Sequence, residues 1–203
     1  MEPPEDVSPL VEGDAAVIEE SLDHPEAFAA LYDRYAPAIH RYAARRLGSG
    51  AADDITADTF LAAFRARARF DPGRTSARPW LYGIAANLIG RHRRAEVRGL
   101  RALARTGVDP VAHSWVDEAD DRIAAQAAHA PLAGALAQLA TGDRHVLLLV
   151  AWADLTYAEV AEALGIPVGT VRSRLSRARR KVREAVGSDP HSPHDAPEAA
   201  THG

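Results

Sequence analysis

Arginine dominates the residues of this sequence that could do chemistry, because the 24 Lys and Arg residues include a single lysine, Lys181. Residues 65–105 hold eleven Arg against two acids, and residues 168–187 hold six Arg and Lys181 against one acid. A guanidinium can bind a phosphate, or the edge of a guanine, through two parallel hydrogen bonds. The two blocks therefore favour two surfaces for a polyanion, although either block alone could be a solvated basic helix face.

Other chemistries find little support. The sequence has no cysteine, which excludes disulfides, thiolate catalysis and iron–sulfur clusters. Its nine histidines show no HExxH-type spacing, and no nucleophile–base set or phosphate-cradling glycine loop is present. We therefore expect no enzymatic activity, no catalytic residue, no metal and no cofactor. No apolar run approaches the ~18 residues of a membrane span, and no signal peptide is recognisable, so we expect a cytoplasmic protein without membrane insertion.

The most specific local pattern lies between Thr156 and Val186. Thr156 and Glu159 have the spacing of a capping box, which begins a helix. Gly165 suits the left-handed residue that ends this helix, and Pro167 suits the first turn of the next one. Spacings of three and four residues predict the buried stripe of this second helix: Val168, Val171, Leu175, Ala178 and Val182. Because the opposite face is basic, the pattern predicts a helix-turn-helix whose second helix enters the major groove of DNA.

The other basic block is interleaved with aromatic residues. Trp80 and Tyr82 precede Asn87 and the arginines that follow it on the same predicted helix. Aromatic rings stack on unpaired bases, so this mixture suits melted or single-stranded DNA. An aromatic residue on a helix is as often part of the core, and Asn87 alone indicates little.

Periodicity predicts an all-α protein with two small helical domains joined by a flexible linker. Residues 1–26 hold nine acids and no Lys or Arg. Within this stretch, residues 1–22 predict a disordered or weakly helical segment. Residues 23–98 predict a bundle of three helices, the third running from about Ser76 to Arg98. Residues 99–128 predict the linker, which alone would join the domains, and residues 129–187 the helix-turn-helix domain. Residues 188–203 predict a disordered tail.

Three segments together resemble the bacterial RNA polymerase sigma factors of the sigma-70 family, specifically the extracytoplasmic-function (ECF) group. AADDITADTF (residues 51–60) is similar to the family's region 2.2, and RPWLYGIAANLIGRHRR (residues 78–94) to regions 2.3 and 2.4. LTYAEVAEALGIPVGTVRSRLSRARRKV (residues 155–182) is similar to region 4.2. The resemblance implies a region 2 bundle and a region 4 helix-turn-helix, with no region 1.1 and no long region 3.

The resemblance also implies a role for particular positions. Polymerase binding is expected on or beside Asp54, Ile55, Asp58 and Phe60. Recognition and melting of the −10 element are expected at Trp80, Asn87, Arg91, Arg93 and Arg94. Recognition of the −35 element is expected at Arg172, Ser173, Ser176, Arg177 and Arg179. The implied partners are core RNA polymerase, through its β′ clamp helices and β flap, promoter DNA, and an anti-sigma factor.

Two other interpretations compete with this one. A helix-turn-helix regulator with an N-terminal helical sensor domain would explain residues 155–187 equally well. It would not explain the basic, aromatic helix of residues 78–98, and it would bind duplex DNA as a dimer without polymerase. A hydrolase or metalloenzyme would need a constellation of functional groups that the histidine spacing does not provide.

Overall fold

The computed structural model describes residues 13–106 and 130–187, and this part of the chain folds into nine helices without a strand. The helices are α1 (Asp14–Asp23), α2 (Ala29–Leu47), α3 (Ser49–Ala66), α4 (Arg78–Arg91), α5 (Arg93–Thr106), α6 (residues 130–138), α7 (Thr141–Trp152), α8 (Tyr157–Leu164) and α9 (Val168–Gly187). Short 3-10 turns at Pro25–Phe28 and Arg67–Arg69 connect α1 to α2 and end α3. The all-α prediction is confirmed. The predicted tail at 188–203 lies outside the described residues.

The N-terminal half packs α2, α3 and α4 around one core. Leu31, Ile39 and Tyr42 of α2 meet Ile55 of α3 and Leu81 of α4, and all five side chains are buried. The buried residues of each helix recur mainly at steps of three and four, so each helix has one apolar face. Burial of these faces against one another is the main stabilising term of this half.

Helix α1 decides between disorder and a weak helix, the two states predicted for residues 1–22, in favour of a helix; residues 1–12 lie outside the described part. Val17 and Ile18 enter the core, and Asp14 is only 4% exposed. The Asp14 carboxylate accepts hydrogen bonds from the Tyr35 hydroxyl (2.6 Å) and the Ala77 backbone N–H (2.6 Å), and it also pairs with Arg34. Asp14 thereby caps the start of α4 through the Ala77 N–H, since the N-cap residue Ala77 has no side chain that could form a capping hydrogen bond.

The third helix of the bundle also departs from the sequence prediction. Instead of continuing to Arg98, it ends at Arg91, and α5 begins at Arg93 after His92. The break turns α5 so that Glu96 points into the protein, where it is 1% exposed. Helix α5 then extends to Thr106, with Leu100 buried, so the first residues of the predicted linker 99–128 are helical. Residues 107–128 lie outside the described part of the chain.

The C-terminal half contains the predicted helix-turn-helix. Thr156 and Glu159 form the capping box at the start of α8, with the Thr156 N–H donating to Glu159 Oε2 at 2.7 Å. Gly165 ends α8 with φ 61° and ψ 39°, the left-handed conformation that glycine adopts without steric cost. Helix α9 buries Val171, Leu175 and Ala178, as predicted. Val168 is a partial exception, because it lies in the first turn of α9 and is 36% exposed.

The two halves pack against each other, a contact that the sequence prediction of a linker-only connection missed. Helix α4 lies across α8 so closely that a Cβ atom at Gly83 would come within 2.1 Å of the Ala163 carbonyl oxygen. Arg78 donates to the Ala153 carbonyl, and Arg74 pairs with Glu162 at 2.7 Å. Only a residue without a side chain allows this approach at position 83.

A buried ion cluster lies at the same boundary. Glu96 accepts from Arg46 Nε of α2 at 2.7 Å and from Arg144 Nη1 of α7 at 2.8 Å. The side chains of both arginines are fully buried. Arg144 further donates to the carbonyl oxygens of Leu136 and Leu139 at 2.8 Å each. One carboxylate therefore joins the two halves through an arginine from each. Both arginines are needed, because a buried charge is stable only when it is paired and hydrogen-bonded.

His145 lies beside this cluster. Burial, together with the positive charges of Arg46, Arg144 and Arg174, lowers its pKa to about 3. Its Nε2 has no hydrogen-bond partner among the described residues, and it lies near Gly90 of α4. His145 is therefore neutral in the folded protein at neutral pH, whereas the unfolded chain binds a proton at the ordinary histidine pKa of about 6.5.

Replacement of Gly83 by alanine is expected to separate the two halves. The added methyl group would collide with the Ala163 backbone of α8, three of whose atoms are the nearest to it. Small-angle scattering of Gly83→Ala should show a larger radius of gyration than the wild-type protein. Gly99→Ala is the matched control, because a Cβ at this α5 position meets nothing within 4 Å. Equal radii for both variants and the wild-type protein would contradict the packing described here.

Acidification is expected to destabilise the fold through His145. Since the folded-state pKa lies below the unfolded value, the histidine's contribution is present above about pH 6.5 and is lost as the pH falls towards 3. Between pH 7 and pH 5 we expect a loss of about 2 kcal/mol in the free energy of unfolding from this group. Urea unfolding of His145→Leu at both pH values should show a loss smaller by this amount. Identical pH dependence in the two proteins would disprove the role of His145.

Candidate nucleic-acid interface

The outer face of α9 gathers the residues predicted to read duplex DNA. Five such side chains are exposed: Arg172, Ser173, Ser176, Arg177 and Arg179. They lie away from the buried stripe formed by Val171, Leu175 and Ala178. The capping box, the Gly165 turn and the buried stripe hold this face outward. No described element of residues 13–106 covers it, so these five side chains stay exposed in the packed arrangement of the two halves.

Arg177 differs from its neighbours because an acidic side chain from another helix holds it. Asp143, in the first turn of α7, accepts from Arg177 Nη2 at 3.1 Å and from Nε at 3.4 Å. The hydrogen bonds and the negative charge of Asp143 raise the pKa of Arg177. One turn earlier on α9, the Arg174 guanidinium lies against Gly142, the residue before Asp143. Sequence reasoning missed Asp143, since nothing in a spacing of 34 residues indicates the contact.

The residues predicted to contact the −10 element are in different environments. Asn87 and Arg91 are exposed on α4. Trp80 is half-buried and packs against Phe70 with a ring separation of 5.0 Å, so part of its surface belongs to the core. Arg93 and Arg94 lie in the first turn of α5, and their side chains are outside the described residues. The Gly83 face of the same helix is covered by α8.

The acidic segment of α3 divides into an exposed and a buried side. Asp54 and Asp58, one turn apart, are exposed, whereas Ile55 and Phe60 are buried and support the helix from below. Tyr32 of α2 stacks edge-on against Phe60 at 4.9 Å and is itself 48% exposed.

An open cleft lies beside this acidic surface, between α2 and α3. Its volume is about 590 Å³, and its lining includes Tyr32, Pro37, His40 and Asp53. Leu61 is a further exposed apolar residue of α3. Exposed aromatic and aliphatic side chains flanked by acids are typical of a surface that binds another protein.

Among the described residues, no group of three or more His, Asp or Glu side chains is placed to hold a metal ion. In the same residues no helix is both long and apolar enough to cross a membrane.

Known proteins share the sequence pattern of both halves. Residues 31–99 match the family described as Sigma-70 region 2, and residues 129–182 match the one described as Sigma-70, region 4. The chain is 36% identical over 141 residues to the ECF RNA polymerase sigma factor SigC of Mycobacterium tuberculosis (strain CDC 1551 / Oshkosh), covering 70% of this chain and 73% of that protein. It is 33% identical over 193 residues to the RNA polymerase sigma factor CnrH of Cupriavidus metallidurans, covering 92% of this chain and 97% of that protein.

Solved structures share the fold. The structure of CnrH in complex with the cytosolic domain of CnrY superposes with a TM-score of 0.60 at 27% identity, covering 88% of this chain and 99% of that one. The sigma factor RpoE in complex with the anti-sigma factor NepR from Bartonella quintana superposes with a TM-score of 0.53 at 20% identity, covering 81% of this chain and 99% of that one.

Proposed function

Because the chain belongs to the ECF group of the sigma-70 family, we propose that it binds core RNA polymerase, reads a −35 element with α9 and reads and melts a −10 element with α4. The observation that carries the proposal is the presence, on one chain, of both family regions in order with the basic face of α9 exposed. Synthesis of RNA is the polymerase's reaction, so no catalytic group is assigned here. The protein would work with the polymerase in the bacterial cytoplasm.

The −35 assignment is supported by the position of the α9 side chains. Residues near the N-terminus of a recognition helix reach base edges in the major groove, as Arg172 and Ser173 would. Arginines farther along, such as Arg179, would hold phosphates and fix the register of the helix. Ser176 and Arg177 lie between these two groups and would face the bases as well.

The −10 assignment is supported by the mixture of groups on α4. Asn87 offers an amide that can hydrogen-bond the edge of an unpaired base. Arg91, with Arg93 and Arg94 at the start of α5, supplies positive charge for the single strand. The half-buried Trp80 ring offers a stacking surface next to Phe70.

The polymerase contact is assigned to the outer side of α3. Asp54 and Asp58 are exposed beside the apolar surface of Tyr32 and Leu61, which is the composition of a protein interface. Ile55 and Phe60 would act indirectly, since they are buried and hold α3 in place. We propose the β′ clamp helices as the occupant of this surface and the β flap as a partner of the C-terminal half.

An anti-sigma factor is a further proposed partner. The similar protein CnrH was solved with the cytosolic domain of CnrY, and a protein of the same fold with the anti-sigma factor NepR. The match of residues 31–99 to Sigma-70 region 2 does not support the alternative, a dimeric helix-turn-helix regulator.

Run-off transcription tests the proposed function directly. Purified bacterial core polymerase should produce new, discrete start sites from a pool of promoter fragments only when this protein is added. Mapping these starts would reveal the −35 and −10 elements together. Failure of the folded protein both to co-elute with core polymerase and to support transcription would instead favour the dimeric regulator.

Two variants should separate polymerase binding from promoter opening. Asn87→Ala is expected to reduce open-complex formation by roughly tenfold, the effect of losing a base-specific contact, while co-elution with core polymerase is unchanged. Asp58→Arg is expected to abolish co-elution, because it reverses a charge on the exposed side of α3. Each variant is the control for the other. If Asn87→Ala remained folded but lost polymerase binding, the division of roles between α3 and α4 would be wrong.

A further inference from the structure

The Asp143–Arg177 pair connects the recognition helix to a fixed point in the protein. Asp143 is only 8% exposed because α9 covers it, whereas the Arg177 side chain is 50% exposed. The buried end of the pair is therefore rigid and the exposed end faces the surroundings of α9. By contrast, Arg180 pairs with Glu184 on its own helix at 3.6 Å, and both of those side chains are mostly exposed. Such a surface pair does not fix the direction of a guanidinium.

Within the part of the chain that the structure describes, one edge of the Arg177 guanidinium remains available. Asp143 occupies the edge formed by Nε and Nη2, with distances of 3.4 and 3.1 Å. A guanidinium carries five N–H donors in a rigid plane, so the Nη1 hydrogens and the second Nη2 hydrogen point away from Asp143. These hydrogens form a fork of the shape that binds O6 and N7 of a guanine in the major groove.

We infer that Asp143 is a positioning residue that aims the free edge of Arg177 at a base pair and so sets the sequence preference of α9. The inference rests on the proposed function of α9 in reading duplex DNA. Asp143 itself would not touch a base, because its carboxylate is buried behind the recognition helix. The base recognised at this position would be a guanine, since among the base edges of the major groove guanine offers the two acceptors, O6 and N7, that match the remaining fork.

Two physical effects make this arrangement selective. A free arginine loses rotamer freedom when it is ordered on DNA, and the bond to Asp143 imposes most of that order before DNA arrives. The carboxylate also places a negative charge near the DNA surface, which weakens binding to phosphates in general. Asp143 would thus lower affinity for unrelated sequences while it strengthens the preference for one base, a combination that raises specificity.

The first turn of α7 is placed to hold Arg177 in this direction. Arg174 lies over Gly142, and a Cβ atom there would come within 2.8 Å of Arg174 Nη1. Two successive turns of α9 therefore rest on residues 142 and 143. This double contact fixes the distance between α9 and α7, which the Asp143–Arg177 hydrogen bonds require.

Selection from a duplex library tests the role of Asp143. The full-length chain is incubated with DNA duplexes that carry a randomised window, and the bound fraction is sequenced. Asp143→Asn keeps the shape of the side chain but removes the charge. We expect the guanine preference at one position to fall by about tenfold, as in Arg177→Ala, whereas binding to unselected duplexes is unchanged or stronger. Asp154→Asn is the control, since it removes the same charge from a position outside α7 and α9.

The possible outcomes are distinct. If Asp143→Asn keeps the wild-type base preference while Arg177→Ala loses it, the positioning role is wrong. If Asp143→Asn weakens binding to every sequence equally and lowers the melting temperature, the residue has a structural role only. If Arg177→Ala keeps the full preference of the wild-type protein, the inference fails but the reading of DNA by α9 stands. If the wild-type protein selects no sequence, the proposed −35 reading fails, and the inference with it.

Discussion

Glu96, buried between Arg46 and Arg144, is the interaction on which the arrangement of both halves depends. A carboxylate removed from water needs hydrogen bonds to both of its oxygens; Arg46 supplies them to Oε1 and Arg144 to Oε2. Arg46 comes from α2 and Arg144 from α7, so α5 must bring Glu96 to the place where the halves meet. The break between α4 and α5 at His92 produces that direction.

The same cluster determines the environment of its neighbours. Arg46 also donates to the Tyr42 hydroxyl at 2.8 Å, and the Tyr42 ring meets Tyr82 of α4 at 5.3 Å. His145 follows Arg144 in α7 and remains neutral beside these positive charges. Removal of one partner would leave an uncompensated charge in the interior, which costs far more than the loss of an exposed pair.

Local features of the fold were predictable, and features that depend on distant partners were not. The capping box at Thr156, the left-handed Gly165 and the buried stripe of α9 involve neighbours within a few residues, and the sequence predicts each one. The packed position of helix α1 escaped prediction because its acidic composition suggests disorder or a weak helix, while the donors that stabilise Asp14 come from Tyr35 and the start of α4. The interface of the two halves escaped for the same reason, since Glu96 and Arg144 are 48 residues apart.

The contact at Gly83 gives the two candidate DNA surfaces different availability. Among residues 13–106 and 130–187 nothing covers the exposed face of α9, whereas a ligand of the covered side of α4 must displace α8 first. Its apparent affinity is the intrinsic affinity multiplied by the fraction of molecules in which the halves have separated. The packing therefore leaves Asn87 and Arg91 of α4 exposed and makes only the Gly83 side of this helix dependent on separation of the halves. A glycine without any chemistry of its own thus controls access to one side of a helix.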